Sequence, residues 1–480
     1  MRYFARFIVV CLLLNDDETA KKLTNTLAEL VEEYFITFNP IDKSEWRLVI
    51  KEIQIFTKGK STLTPCDENG NLHSLSMSLE NMPEMKFMQD IKPVLSRAVI
   101  VGNTYKQIKF SEMTLDMFKI VHTLEYEFVE SSIIKQKGRP QIKTTEQPIS
   151  SENQDKIENS EKVGSNTVKT ESKDEKNRDE ESSQKEDKKE PAERRRLLNP
   201  QKYLFFRANF SNLISSISSA FKEVDRVSCM FVYISAEGYF SNEDSGYANY
   251  KSGIITASKK HVDKQAKNAL AIEEVEKKSK VIELEPHCFY PADVISFTRK
   301  PMFMVVDSNN STTFKDIPDL FNQPLVILMS PTQVPEKINY NAMASGNLYT
   351  TFLYSLVVGL CTVLEISVIS ATKWEMLQIS MLKIQDLIYE GVLANVNDEG
   401  VLTLFGDLFL RRYMINHLAC VEILKLHRLF TLPENLPTSV PKLEIQETVS
   451  TKISEIVLSA VKEIGINVHY FLSPNTQNAE

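Results

Sequence analysis

Two polar clusters stand directly after apolar runs of strand length. Ser235-Ala236-Glu237-Gly238 follows Cys229 to Ile234, and Asp307-Ser308-Asn309-Asn310-Ser311 follows Met302 to Val306. Polar side chains at the carboxyl ends of parallel strands line the crevice where open α/β sheets hold ligands. A cysteine hydrolase on such a sheet would carry an imidazole after one strand and a thiol after the next. Here Glu237 stands in the first place and Ser308 or Asn309 in the second. Neither a thiolate nor its base is present, so a Cys–His mechanism fails. The two clusters are therefore read as strand-end turns, with a decayed hydrolase site in the crevice near Glu237 and Asp307 as the alternative, and no catalytic residue is assigned.

Other chemistry is scarce. The chain has 14 glycines in 480 residues, well under the usual share of about 7%. No P-loop, G-x-G-x-x-G, G-x-S-x-G, H-E-x-x-H or EF-hand pattern occurs. Phosphate cradles and nucleophile elbows need glycine for positive φ and close backbone approach. His287-Cys288 has no second pair at ligand spacing, so no metal and no cofactor is assigned. The six cysteines are scattered, with no C-x-x-C pair, which fits a reducing compartment. The basic turn Phe297-Thr298-Arg299-Lys300-Pro301 either docks an acidic partner or caps a strand entrance.

The elements that would position these residues fall in two styles. Cys229 to Ile234, Met302 to Val306 and Leu325 to Met329 are continuous apolar runs. They fit strands buried on both faces, hence a largely parallel sheet covered by helices. A helix marked by Phe210, Leu213, Ile217, Phe221 and Val224 precedes them. Phe314, Ile317, Leu320 and Phe321 give a helical face between the last two. Elsewhere the period is helical. Leu23, Leu27, Leu30, Val31, Tyr34, Phe35 and Phe38 share one face, stopped by Asn39-Pro40. Trp46 to Phe56 repeats it, and the two make the antiparallel pair of helical arrays. A third helix runs from Ser111, as N-cap, through Leu115, Phe118, Val121 and Leu124, and a loop is expected from Lys58 to Pro93. Towards the end, helices are expected over Leu348 to Ile369, Trp374 to Leu387, Phe405 to Phe430 and Val449 to Ile464.

The net charge is −8. That argues against direct, non-specific nucleic-acid binding, which runs on clustered Lys and Arg. Arg2 and Arg6 precede the apolar run Phe7 to Leu14, but Asn15-Asp16-Asp17-Glu18 follows without a small-x-small cleavage site, so a buried helix is expected rather than a signal peptide. Thr351 to Leu364 carries no charge over 14 residues. As a helix it would span about 21 Å, short of a hydrocarbon core of about 30 Å. A core helix is expected there, with membrane association as the alternative.

Between Ser151 and Leu198 lie 12 Lys/Arg and 14 Asp/Glu, and Ile157, Val163 and Val168 are the only apolar side chains from Ser151 to Glu190. Such a stretch cannot offset its ordering entropy by burial, so a disordered linker is expected. Lys188-Lys189 and Arg194-Arg195-Arg196 at its end match a nuclear import signal or the basic end of a solvated linker.

Several segments resemble the SCAI family (suppressor of cancer cell invasion). They are Arg2-Tyr3-Phe4-Ala5-Arg6-Phe7 running on to Asn15, Lys109-Phe110-Ser111-Glu112-Met113-Thr114-Leu115, Asn199-Pro200-Gln201-Lys202-Tyr203-Leu204, and Phe405-Gly406-Asp407-Leu408-Phe409-Leu410-Arg411. The most specific is Phe297 through Ser311, continued by Phe321 through Thr332. The resemblance implies a transcriptional corepressor acting through protein–protein contacts rather than an enzyme. Its implied partners are myocardin-related transcription factors with serum response factor, its implied effect is restraint of cell migration, and its implied location is nucleus and cytoplasm. The family has helices ahead of the segment that begins here at Met1, so a shortened member is expected, with Phe7, Val10, Cys11 and Leu14 as an under-covered apolar stripe. Ser258 to Val281 does not match the family well.

The expected architecture is a helical, repeat-like region (1–130), a disordered charged linker (135–195), a small mostly parallel α/β domain (200–345), a C-terminal helical region packed with it (346–472) and a tail (473–480). Deleting 145–190 is expected to leave the thermal unfolding midpoint of the chain within a few degrees. Calorimetry on the deletion variant checks this, and loss of a cooperative transition contradicts it.

Overall fold

The computed structural model describes residues 2–14, 16–60, 64–66, 94–104, 107–110, 113–133, 200–225, 228–240, 252–256, 287–339, 346–466 and 470–471. The charged linker, the basic cluster at its end, the segment Ser258 to Val281, the tail and most of the expected loop after Lys58 lie outside the described residues.

A six-stranded sheet organises the molecule. Its strands are β1 (Val94–Gly102), β2 (Gln201–Phe206), β3 (Ser228–Ser235), β4 (Met302–Asp307), β5 (Leu325–Met329) and β6 (Thr438–Val440). Their spatial order is 2-1-3-4-5-6, with only β6 antiparallel to its neighbour. The three expected apolar runs are β3, β4 and β5. Every residue of β3 and β4 is buried, because successive side chains serve opposite layers. Met230, Val232 and Ile234 join one core, while Cys229, Phe231 and Tyr233 join the other.

The sheet expected within 200–345, after the linker, in fact draws strands from both sides of those bounds. β1, from ahead of the linker, pairs with both β2 and β3, and β6 comes from beyond residue 345. The apolar run of β1 is disguised at its start by Ser96-Arg97, where a bulge shifts the register and Arg97 turns out to pair with Glu223 at 2.6 Å. The expected helical face at Phe314, Ile317, Leu320 and Phe321 is instead a 3-10 turn over Ser311–Asp316. Phe314 and Ile317 are buried, but Leu320 is exposed.

Helix α5 (Phe210–Glu223) covers the first face, packing on β1 and β3. The second face is covered by α4 (Leu115–Ile133), α6 (Leu348–Tyr354), α7 (Leu356–Val363), α8 (Ala371–Asn395), α9 (Glu399–Phe405), α10 (Leu408–Leu426) and α11 (Glu447–Glu463). In α10, 16 of 19 residues are buried, as expected of a helix apolar nearly all round.

Two helices expected as single rods are broken. The stretch Leu348 to Ile369 divides at Ser355, which is extended (φ −154°, ψ 120°) and caps α7 through Val358 N. Two carbonyls at the break are taken by α10: Asn416 Nδ2 donates to Leu353 O at 2.9 Å and Arg412 Nη2 to Tyr354 O at 3.1 Å. A Cβ on Gly359 would sit 2.5 Å from the Phe352 ring, so glycine lets the two short helices close on each other. The stretch Phe405 to Phe430 divides at Gly406-Asp407, where Asp407 caps α10 through Leu410 N at 3.0 Å. Among the described residues no helix is long and apolar enough to cross a membrane.

The first three helices are α1 (Arg2–Leu13), α2 (Asp17–Phe38) and α3 (Lys43–Lys60). Asp16 caps α2 through Thr19 N, and Asn39 ends it in the left-handed region at φ 40°. Within the expected stripe Cys11 is buried, because it shares the inner face of α1 with Ile8 and Leu12. Phe7, Val10 and Leu14 are exposed.

Val305 is fully buried in β4. Val305→Asp places a carboxylate without a partner there, costing several kcal/mol against a total stability of about 5–15 kcal/mol. The variant is expected to lose cooperative unfolding; near-normal urea denaturation would contradict the burial.

Candidate functional site

The strand order reverses between β1 and β3, and at that switch point the carboxyl ends of the strands open a crevice. Here the crevice is filled by the chain's own polar groups, drawn from four segments. From the first comes Asp116, fully buried in the opening turn of α4, with Lys119 one turn on. Ser235 and Asp307 stand at the ends of β3 and β4. From the fourth come Gly346, Asn347, Thr350 and Thr351, at and just inside the start of α6.

The hydrogen bonds form one network. Asp116 accepts from Gln107 Nε2 and, at 2.9 Å, from Asn347 N. Ser235 Oγ accepts from Asn347 Nδ2 and meets Thr104 Oγ1, both at 2.9 Å, and leans toward Asp116 at 3.5 Å. Thr350 Oγ1 donates to Asp307 Oδ2 at 2.6 Å, and Tyr233 OH reaches the same threonine at 2.7 Å. Lys119 Nζ donates to Thr351 Oγ1 at 2.6 Å and lies 4.0 Å from Asp116 Oδ1. The close approach needs Gly346: its φ is +86°, and a Cβ there would fall 2.3 Å from Asp116 Oδ1.

Two carboxylates and one ammonium share this dry site. Burial, and then the negative Asp116, push the Asp307 carboxyl up to about 6. Burial lowers the Lys119 ammonium, opposed by the attraction of Asp116 and Asp307. Burial also raises the Tyr233 hydroxyl well above its ordinary range. The arrangement can hold a proton on Asp307 and tie α4 and α6 to the sheet.

The residues singled out in the sequence are dispersed around it. Asp307 is in the network, whereas Glu237 is exposed and outside it. Ser308 N donates to Ser330 Oγ at 2.9 Å. Asn309 Oδ1 accepts from Gly238 N at 2.6 Å, and Asn310 Nδ2 donates to the carbonyls of Tyr239 and Gly253. These side chains anchor the small antiparallel ladder of Gly238–Phe240, Ser252–Ile255 and Cys288–Phe289. Cys288 is buried within that ladder. In the basic turn, Lys300 Nζ caps the C-terminus of α5, donating to Phe221 O at 2.6 Å and to Val224 O, over the Phe221 ring. Arg299 lies over the Phe321 ring. Among the described residues no group of three or more His, Cys, Asp or Glu could hold a metal ion. The buried His417 meets Tyr349 OH at 2.7 Å, and burial lowers its imidazole to about 3.

Asp116, Lys119, Asn347 and Thr350 escaped the sequence reading. The signal was an Asp and a Lys three residues apart on a helix apolar over most of its circumference.

Asp307 gives a signed pH dependence. The unfolded chain releases this proton near 3.8, the folded chain near 6. The stability it supplies is full below 3.8 and is lost as pH rises through about 6, on the order of 2–3 kcal/mol. Asp307→Asn, which imitates the protonated form, is expected to match or exceed wild-type stability at pH 7.5, with the difference shrinking towards pH 5. Urea unfolding across that range measures it; a pH-independent difference would remove the assignment.

Comparison with known proteins adds the last observations. The family model described as Protein SCAI matches residues 1–430. Protein SCAI of Mus musculus is 31% identical over 455 residues, and that of Homo sapiens 31% over 454. Each match covers 94% of this chain and 66% of the relative, so the chain spans just under two thirds of their length. The Protein SCAI homolog of Dictyostelium discoideum is 25% identical over 572 residues, covering 90% of this chain and 70% of its own. No solved structure matches.

Proposed function

This chain belongs to the SCAI family, and we propose that it is a transcriptional corepressor that works by binding other proteins. The partners in this reading are myocardin-related factors acting with serum response factor. The consequence is restraint of migration genes, and the location is nucleus and cytoplasm. The observation that carries the non-enzymatic part is the filled crevice. In open α/β sheets the switch point is where substrates and cofactors sit. Here Asn347, Thr350 and Thr351 occupy it and are hydrogen-bonded to Asp116, Asp307 and Lys119. A hydrolase relic built on Glu237 and Asp307 is disfavoured, since one side chain faces solvent and the other is buried. A net charge of −8 favours reaching DNA through partners over binding it directly.

The test needs the whole chain, because a fragment starting at residue 195 lacks β1, the strand between β2 and β3. The full chain is expected to co-precipitate a purified myocardin-related factor and to lower a serum-response reporter severalfold. Absence of both effects would overturn the proposal.

A further inference from the structure

Beyond β6 the chain stays extended without joining a ladder. β6 is the last strand of the sheet and is bonded to β5 on one side only. Residues 441–446 follow it, pair with no strand among the described residues and lead into α11. Their burial alternates: Leu443 is buried and Ile445 half-buried, while Lys442, Glu444 and Gln446 are exposed. Side chains that go inward and outward by turns leave the main-chain groups on the flanks, as in a strand. Leu443 N donates to Ser439 Oγ at 2.9 Å. The N–H groups of Lys442, Glu444 and Ile445 and the carbonyls of residues 441–445 have no partner among the described residues. An unpaired extended edge of this kind is a template for another strand.

The same residues form one side of a cleft of about 380 Å³, within the range of about 300–1,000 Å³ usual for ligand sites. The rest of its lining is the loop between α8 and α9, residues 395–398, and Val401 of α9. That loop is braced. Asn395 Nδ2 donates to Gly391 O at 2.7 Å, Gln446 Nε2 donates to Asn395 Oδ1 at 2.6 Å, and Asp398 caps α9 through Val401 N at 2.9 Å. The lining belongs entirely to residues 395–446, so the shape of the cleft is set by one stretch of chain. Val396 and Ile445 offer apolar contact, and Asn397 offers an exposed carboxamide, which matches a peptide group as donor and acceptor. Asp398 and Glu444 line the cleft, and Glu399 and Glu447 adjoin it in sequence. Against them stand Lys442, which pairs with Glu444, and Lys425, whose charge reaches Glu444. The excess is acidic, so basic side chains complement it.

We propose that the cleft between residues 395–398 and 441–446 is a docking site for an extended segment of a partner protein, added as a strand along residues 442–446, with an apolar side chain against Val396 and Ile445 and a Lys or Arg beside Asp398 or Glu444. Main-chain bonds to the unpaired edge supply the grip, and the cleft selects among side chains. A helix fits less well, since its main-chain groups are already bonded within it and leave the edge unanswered. A second copy fits less well too: a two-fold pairing centred on this edge sets Glu444 opposite its own copy, and like charges facing across a strand pair are unfavourable. The proposal rests on the reading that this protein works through protein contacts, and it specifies the form of the partner's segment.

The experiment uses the full chain and a displayed library of random heptapeptides. Selection is expected to enrich peptides with alternating apolar residues and a Lys or Arg, and titration calorimetry on a synthetic copy of one gives its affinity. Methylating the main-chain nitrogens on one edge of that peptide is expected to weaken binding by about tenfold or more, as loss of two or more hydrogen bonds does. Glu444→Pro removes an unpaired N–H at an exposed position and is expected to weaken binding as much. Glu444→Ala, which keeps that N–H, is expected to retain most of it. Melting temperatures certify the fold of both variants, and the methylated peptide tests the same bonds on the native chain should Glu444→Pro not fold. No enriched peptide, a methylated peptide that binds as well as its parent, or equal binding by folded Glu444→Pro and Glu444→Ala would each overturn the proposal. So would a dimer of the full chain that Glu444→Pro abolishes. Peptide binding of the expected kind without capture of a myocardin-related factor would sink that partner assignment and leave the cleft standing. Capture that survives Glu444→Pro, with no peptide enriched, would do the reverse.

Discussion

A parallel sheet that is apolar on both faces has to be covered twice, and most of this molecule follows from that requirement. One residue on, along β3, the side chain has changed sides: Phe231 faces Phe409 and Tyr413 of α10, while Val232 joins the core under α5. The first face is met economically by one amphipathic helix and a few turns. The second takes a layer so thick that α10 lies between the sheet and further helices and is itself buried nearly all round. Burial on this scale is what holds the chain's remote segments together, since apolar area removed from water is the dominant favourable term in folding.

The polar network at the carboxyl end of the sheet is the counterpart of that burial. Strand ends and helix starts carry backbone groups and side chains that cannot be left dry without partners. Asp116 and Asp307 meet this need with hydrogen bonds from a glutamine, a backbone amide and a threonine, and Lys119 supplies the one positive charge. Burial, and then the negative charge of Asp116, are why Asp307 keeps its proton to unusually high pH. Buried ion pairs contribute little net stability over apolar replacements, and a role in fixing one arrangement is the better-attested use of such groups. The network joins segments up to 232 residues apart in sequence and ties α6 to α4 and to the end of β4.

The same economy explains the apolar stretch around residues 348–364. It carries no charge from Thr351 to Leu364, yet Ser355 breaks it and α10 satisfies the carbonyls released at the break. The result is two short helices, most of whose residues are buried in the core on the second face of the sheet. Among the described residues, the large apolar side chains that remain exposed lie mainly on or between the first three helices.

The sequence by itself determined the element types wherever one local signal ruled. β3, β4 and β5 were legible because five or six consecutive apolar residues have no other comfortable state, and α2 because its period is unbroken up to Asn39-Pro40. It also determined the family, since side chains constrained by the same packing leave long matching segments. What only the tertiary structure decided was which segments meet. β1 is interrupted near its start by Ser96 and by Arg97, whose partner, Glu223, is remote in sequence, so its apolar run from Ala98 to Val101 is too short to mark a central strand by itself. The crevice residues were half visible: Asp307 is marked by its strand, but Asp116, Lys119, Asn347 and Thr350 look like ordinary helix-surface residues. Their role arises from being brought together without water, and neither burial nor a neighbour's charge is a property of one stretch of sequence.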